Sequence, residues 1–266
     1  MRYRVTQQVS SLKEIDFPEG VTELYCNNNQ LTSLEGCPSS VVKLYCINNR
    51  LTSLKGCPSV KILNCSSNWL TSLEGCPSSV VELYCNNNRL LTLEGCPSLV
   101  VKLVCYNNRL TTLEGCPSSV VKLYCSNNRI LTLEGCPSSV VNLYCDNNRL
   151  LTLEGCSSSV KTLYCSYNKL TTLECCPSSL ENLVCSNNRL LSLEGCPSSL
   201  KGLECSDNPL KLEWQGSTKK QLQKVKEHNA AKKIQKAWDL YWYKPNEEGE
   251  SRAAKFGYKK LQALLN

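Results

Sequence analysis

The chain has 266 residues, twenty cysteines and a formal net charge of +7. The excess is local: residues 211–266 hold 13 Lys+Arg against 6 Asp+Glu, which leaves residues 1–210 neutral. No apolar run approaches the roughly 18 residues of a membrane span, and the opening MRYRVTQQVSSLKEI has no apolar centre to read as a secretory leader. A reducing, cytoplasmic setting is therefore expected, where cysteines serve as free thiols or metal ligands before disulfides.

In chain order, residues 1–23 read as an N-terminal cap or half repeat. SLKEIDFPEGV imitates part of a repeat unit, with Leu12 and Ile15 at core positions and Phe17-Pro18 in place of a Cys-Pro pair. From 24 to 213 the chain repeats itself about ten times. Leu-x-Cys-x-x-Asn-x-Leu begins at Leu24, Leu44, Leu63, Leu83, Leu103, Leu123, Leu143, Leu163, Leu183 and Leu203. The step is twenty residues, except nineteen between Leu44 and Leu63, where CPSS shortens to CPS at 57–59. A fixed period of this length predicts a solenoid.

Within one unit, VVKLYCIN at 41–48 alternates inward Leu44 and Cys46 with outward Lys43, Tyr45 and Ile47, the pattern of a strand buried on one face. Each unit adds one strand to a parallel sheet on the concave side. The remaining residues are too few for a return helix. The proline and small residues of GCPSS predict an extended, polyproline-like or irregular convex side.

The motif resembles that of the leucine-rich-repeat family over about residues 12–212, in the short twenty-residue class best known from bacterial effectors. The Cys-rich LEGCPSSV form looks similar to repeat proteins of large DNA viruses of amoebae. The resemblance implies a leucine-rich-repeat solenoid that binds a protein partner and catalyses nothing.

Two columns fall at the strand and its exit. Asn29, Asn49, Asn68, Asn88, Asn108, Asn128, Asn148, Asn168, Asn188 and Asn208 stand where the strand must turn. A buried carboxamide there donates to and accepts from backbone groups that a bend leaves unpaired. Cys26, Cys46, Cys65, Cys85, Cys105, Cys125, Cys145, Cys165, Cys185 and Cys205 share the inward side with the leucines. A second set runs from Cys37 to Cys196, and Cys175 replaces a glycine. Packing as small buried hydrophobes is the leading reading. Disulfide rungs across each coil are the rival, and they need Cα atoms within about 7 Å. Metal has little support, because no set of four ligands at short spacing occurs, and no cofactor is expected. No histidine lies in the repeats to activate a nucleophilic thiol.

Three columns face outward. Tyr25, Tyr45, Tyr84, Tyr124, Tyr144 and Tyr164 precede the ladder cysteines, interrupted by Asn64, Val104, Val184 and Glu204. Tyrosine among small polar residues suits a partner-binding surface. Strand propensity alone also favours it, so a merely shielding role stays open. The second column is Arg50, Arg89, Arg109, Arg129, Arg149, Lys169 and Arg189. The third, five residues on, is mostly glutamate from Glu35 to Glu194. Interleaving of these two rows as charge-balancing pairs is expected, with an anion-binding arginine stripe as the alternative.

Residues 214–266 form a basic helical cap or appendage. STKKQLQKVKEHNAAKKIQKAWDLYWYKP predicts a helix capped by Ser217 or Thr218 and stopped by Pro245. Leu222 and Val225 give one apolar patch, and Ile234, Trp238 and Tyr241 continue at helical spacing for contact with a partner. AAKKIQKAW resembles the start of an IQ motif, which implies a calmodulin-like partner. Asp239 and Leu240 depart from that pattern. A second helix is predicted from about Ser251 to Leu265, with Ala254, Tyr258, Leu261 and Leu265 on one side. Nucleic acid and membrane are unlikely partners for this tail.

The sequence therefore predicts a non-catalytic interaction scaffold whose protein partner meets the concave tyrosines. A structural or cross-linked virion or surface component is the alternative.

Overall fold

The structure is a computed structural model, and it describes residues 1–245 and 251–253. Eleven three-residue strands form one parallel sheet in strict chain order. They are β1 (Arg2–Arg4), β2 (Glu23–Tyr25), β3 (Lys43–Tyr45), β4 (Ile62–Asn64), β5 (Glu82–Tyr84), β6 (Lys102–Val104), β7 (Lys122–Tyr124), β8 (Asn142–Tyr144), β9 (Thr162–Tyr164), β10 (Asn182–Val184) and β11 (Gly202–Glu204). Each motif leucine sits opposite the next, as Leu123 does opposite Leu143, so the coils stack without slippage. The shortened unit keeps register, with Leu44 opposite Leu63.

One coil shows how the interior fills. Val120, Leu123, Cys125, Ile130 and Leu133 are fully buried, and Cys136 is half-buried against them. Five apolar side chains from one short loop cannot enclose a core unaided. They become dry only because the coils above and below supply the same five, which makes folding a matter of neighbours.

The convex side contains two tight turns per coil. Cys136 N donates to Leu133 O at 2.9 Å, and Val140 N donates to Pro137 O at 3.1 Å. Gly135 takes φ +82° in the first turn, and a Cβ there would stand 2.8 Å from the backbone N of Glu114 in the preceding coil. Glycine thus answers both the left-handed turn and the close approach of coils. Cys175 occupies the same place without a left-handed φ, and its turn still closes, Cys176 N to Leu173 O at 3.0 Å.

The two ends differ from expectation. At the front, Arg2–Arg4 is a full strand in register with β2, Tyr3 opposite Leu24, although its sequence lacks the leucine and cysteine of the motif. Tyr3 meets Phe17 edge-on at 5.3 Å, and Val9 is buried. Leu12 is fully buried, but Ile15 only packs partly exposed against the core. At the back, a 3-10 turn at Leu212–Trp214 leads into α1 (Thr218–Tyr243). Ser217 holds the N-cap position without a side-chain hydrogen bond.

The first turns of α1 seal the last coil. Val225 and Gln221 are buried, and Cys205 Sγ donates to Gln221 Oε1 at 3.3 Å. Gln221 Nε2 donates to Trp214 O at 3.2 Å, and Asn229 Nδ2 reaches Cys196 O at 2.9 Å. Further along, Ile234, Trp238 and Tyr241 are 70%, 57% and 55% exposed. Ala254, Tyr258, Leu261 and Leu265 of the expected second helix lie outside the described residues.

Candidate interaction face

The concave surface rests on the asparagine column. Asn128 Nδ2 donates to Cys125 O at 3.0 Å in its own coil and to Cys105 O at 3.1 Å in the coil before. Its Oδ1 accepts from Leu110 N at 2.9 Å. The same set recurs at Asn49, Asn68, Asn88, Asn108, Asn148, Asn168, Asn188 and Asn208, and Asn29 Oδ1 accepts from Val9 N. One side chain thereby answers several backbone groups shut away from water, and it ties each coil to its neighbour.

The residue before each ladder asparagine has a left-handed backbone, from Asn28 (φ 57°) to Asp207 (φ 54°). Asparagine suits this region better than most L residues, which accounts for the first letter of the Asn-Asn pair. Ser67, Tyr167 and Asp207 take the same φ without being asparagine.

The ladder cysteines are buried, all ten of them, and all twenty cysteines are free thiols. Several thiols donate to the strand of the next coil, as Cys145 Sγ does to Tyr164 O at 3.3 Å. Burial drives thiol pKa values far up in both sets: Cys125 of the ladder rises well above the usual thiol range, and Cys116 of the second set is pushed up to about 12. A thiol so hard to ionise is a poor nucleophile. Among the described residues no group of three or more His, Cys, Asp or Glu could hold a metal ion. Only Cys175 is exposed.

On this base the tyrosines project as three groups. Tyr25 and Tyr45 stack at 4.5 Å with rings 4° apart. Tyr124 and Tyr144 stack at 4.4 Å, and Tyr144 and Tyr164 at 4.8 Å. Tyr84 stands apart between Asn64 and Val104. It donates to Glu82 Oε2 at 2.8 Å and accepts from Lys102 Nζ at 2.8 Å. Each of the six tyrosines is half-buried.

Sequence reasoning passed over Asp146, the one acid in the column after the ladder cysteines. It lies beside the Tyr124–Tyr164 stack and accepts from Ser166 N at 2.8 Å and Ser126 Oγ at 3.4 Å. Partial burial raises its pKa despite those donors. Its singularity in an otherwise uncharged column was the available signal.

The expected interleaving of arginine and glutamate columns is not observed. Among the described residues, none of Arg50, Arg89, Arg109, Arg129, Arg149, Lys169 and Arg189 forms an ion pair. The pairs present do not involve those residues: Lys55 pairs with Glu74 within the acidic column at 3.2 Å, and Lys201 with Glu181 at 2.6 Å. Between the two columns lie an exposed position, such as Leu131, and a buried leucine, such as Leu133. Arg89 instead lies over the Trp69 ring at 5.6 Å.

No family model matches the chain, and no curated protein matches it. Solved structures do. YopM from Yersinia enterocolitica WA-314 is 32% identical with a TM-score of 0.64, over 73% of this chain and 44% of its own. The functional domain of InlJ from Listeria monocytogenes, described as including a cysteine ladder, is 28% identical with a TM-score of 0.62, over 76% of this chain and 47% of its own. The leucine-rich-repeat domain of APL1B is 26% identical with a TM-score of 0.59, over 71% and 62%. The chain thus spans about half the length of the first two. No helix among the described residues is long and apolar enough to cross a membrane. Stacked single-strand coils, leucine-rich-repeat neighbours and a cysteine every coil together make this chain a leucine-rich-repeat solenoid with a cysteine ladder, followed by the C-terminal helix α1.

Proposed function

We propose that the chain is a non-catalytic, cytoplasmic protein-interaction scaffold whose concave face meets its partner at the tyrosine row. The carrying observation is the Tyr124–Tyr144–Tyr164 stack beside Asp146. Three stacked, half-buried rings stand in adjacent coils, next to the one carboxylate of the neighbouring column. Such an arrangement offers contact area at small entropy cost and a fixed acceptor for a donor on the partner. The likeness to leucine-rich-repeat structures supports a binding role in general, and it leaves this face and its partner as our reading. In the same reading residues 1–23 cap the front, 24–213 carry the binding surface, and 214–266 begin as a cap and end as an appendage.

The test compares the wild type with a Tyr124→Ser, Tyr144→Ser, Tyr164→Ser chain in affinity capture from host lysate. Partners should be lost from the triple variant while its circular dichroism is unchanged. Equal recovery would remove the concave face from the account.

A further inference from the structure

The lateral flank carries a pattern that the concave-face reading does not use. Arg129 N and Leu131 N donate to Leu110 O and Thr111 O of the preceding coil, and Ile130 between them is fully buried. Exposed Arg129 and Leu131 flank buried Ile130, so both side chains lie on the outward side of the coil. Three residues after Leu131 stands exposed Glu134. Adjacent coils repeat this: Arg149, Leu151, Glu154 above, and Arg109, Thr111, Glu114 below. Leu131 and Leu151 are 53% and 55% exposed, and Leu91 and Leu191 continue their column.

The flank is therefore three parallel stripes: basic, apolar, acidic. Among the described residues neither charged stripe has an ion-pair partner at these coils, and like charges recur at the coil spacing of about 4.8 Å. What relieves both stripes at once is a surface with the same three stripes in reverse order. The chain itself presents that surface when turned about an axis running along its leucine stripe. Leucine then meets leucine, and Arg129 faces Glu134 of the second copy while Glu134 faces its Arg129. Turning about the perpendicular axis in the same plane sets arginine against arginine. Charge alone thus selects one of the two symmetric pairings, the one in which both solenoids run in the same direction.

We infer that this flank associates with a second copy of the chain, side by side and parallel, through the middle coils. The area is small, so the association is weak and salt-sensitive. It leaves the concave tyrosines uncovered and is independent of their partner.

The test uses sedimentation velocity on three full chains at about 100 μM, where interfaces of this size register. One is wild type, one carries Arg109→Glu, Arg129→Glu and Arg149→Glu, and one carries Glu114→Arg, Glu134→Arg and Glu154→Arg. The wild type should dimerise, each triple variant should associate at least tenfold more weakly, and their equimolar mixture should recover a heterodimer. A wild type that stays monomeric in low salt, or a variant that dimerises as well as wild type, overturns the proposal. Orientation is read from Thr111→Cys in a Cys175→Ser background. A parallel pair brings the two introduced thiols together, and mild oxidation should yield a covalent dimer. A chain that dimerises without that cross-link overturns the parallel arrangement. The tyrosine triple variant should dimerise like wild type.

Discussion

The asparagine column and the arginine column are nearly as regular as each other, yet the structure treats them differently. Each ladder asparagine has its partners inside the chain, in its own coil and the one before. The arginines, next in sequence to those asparagines, have no ion-pair partner among the described residues. Repetition in the interior comes from packing, because every coil presents the same orphan backbone groups to the next. Repetition on the flank has no such cause within the chain, and it is there that a use outside the chain is to be sought.

The interior should fail first under alkali. The folded thiols titrate far above an unfolded cysteine, which ionises near pH 8.5. Their contribution is fully present below that value and is lost as pH rises toward the folded values, about 12 for Cys116. Each such group removes up to about 1.4 kcal/mol per pH unit above roughly pH 9. With many of them, urea midpoints should collapse between about pH 9 and 10.5. A midpoint that stays level to pH 11 would show the thiols are not protonated and buried together.

Asn128→Ala should come next in size. It strands Cys105 O, Cys125 O and Leu110 N in a dry interior, at a cost of about 3–5 kcal/mol in chemical denaturation. Arg129→Ala, one residue away but exposed, should change stability by less than about 0.5 kcal/mol. Equal effects at the two positions would erase the distinction between the columns. One further change is a gain: Tyr167→Asn relieves a left-handed backbone at an exposed site and should add about 0.5–1 kcal/mol to stability.

Most of the fold was legible because its signal is periodic. Leu-x-Cys-x-x-Asn-x-Leu marks strand, inward face and exit turn at once, and the nineteen-residue step fell in a turn that absorbs it. The first strand was missed because RYRV carries Tyr3 and Val5 where the motif has leucine and cysteine, so alternation was the only clue. The glycine of the convex turn was unassigned because its reason lies in the neighbouring coil, a distance that no single unit displays. The charge columns were misjudged in the same way. Five residues of separation look close in sequence, but Leu133 turns inward between Arg129 and Glu134, and no pair forms across it among the described residues. On the candidate face, tyrosine spacing and the gaps at Asn64 and Val104 were readable, whereas the stacking of the rings on either side of them needed three dimensions. Asp146 was visible only as an exception to its column.

The central claim is that the coils stack around an interior of protonated, unbridged thiols. Titrating the native protein with a thiol reagent, then repeating the titration in denaturant without reductant, tests it most directly. One thiol, Cys175, should react promptly in the native state, and all twenty should react once the chain is unfolded. Several prompt thiols in the native protein, or a denatured count well short of twenty, would contradict it.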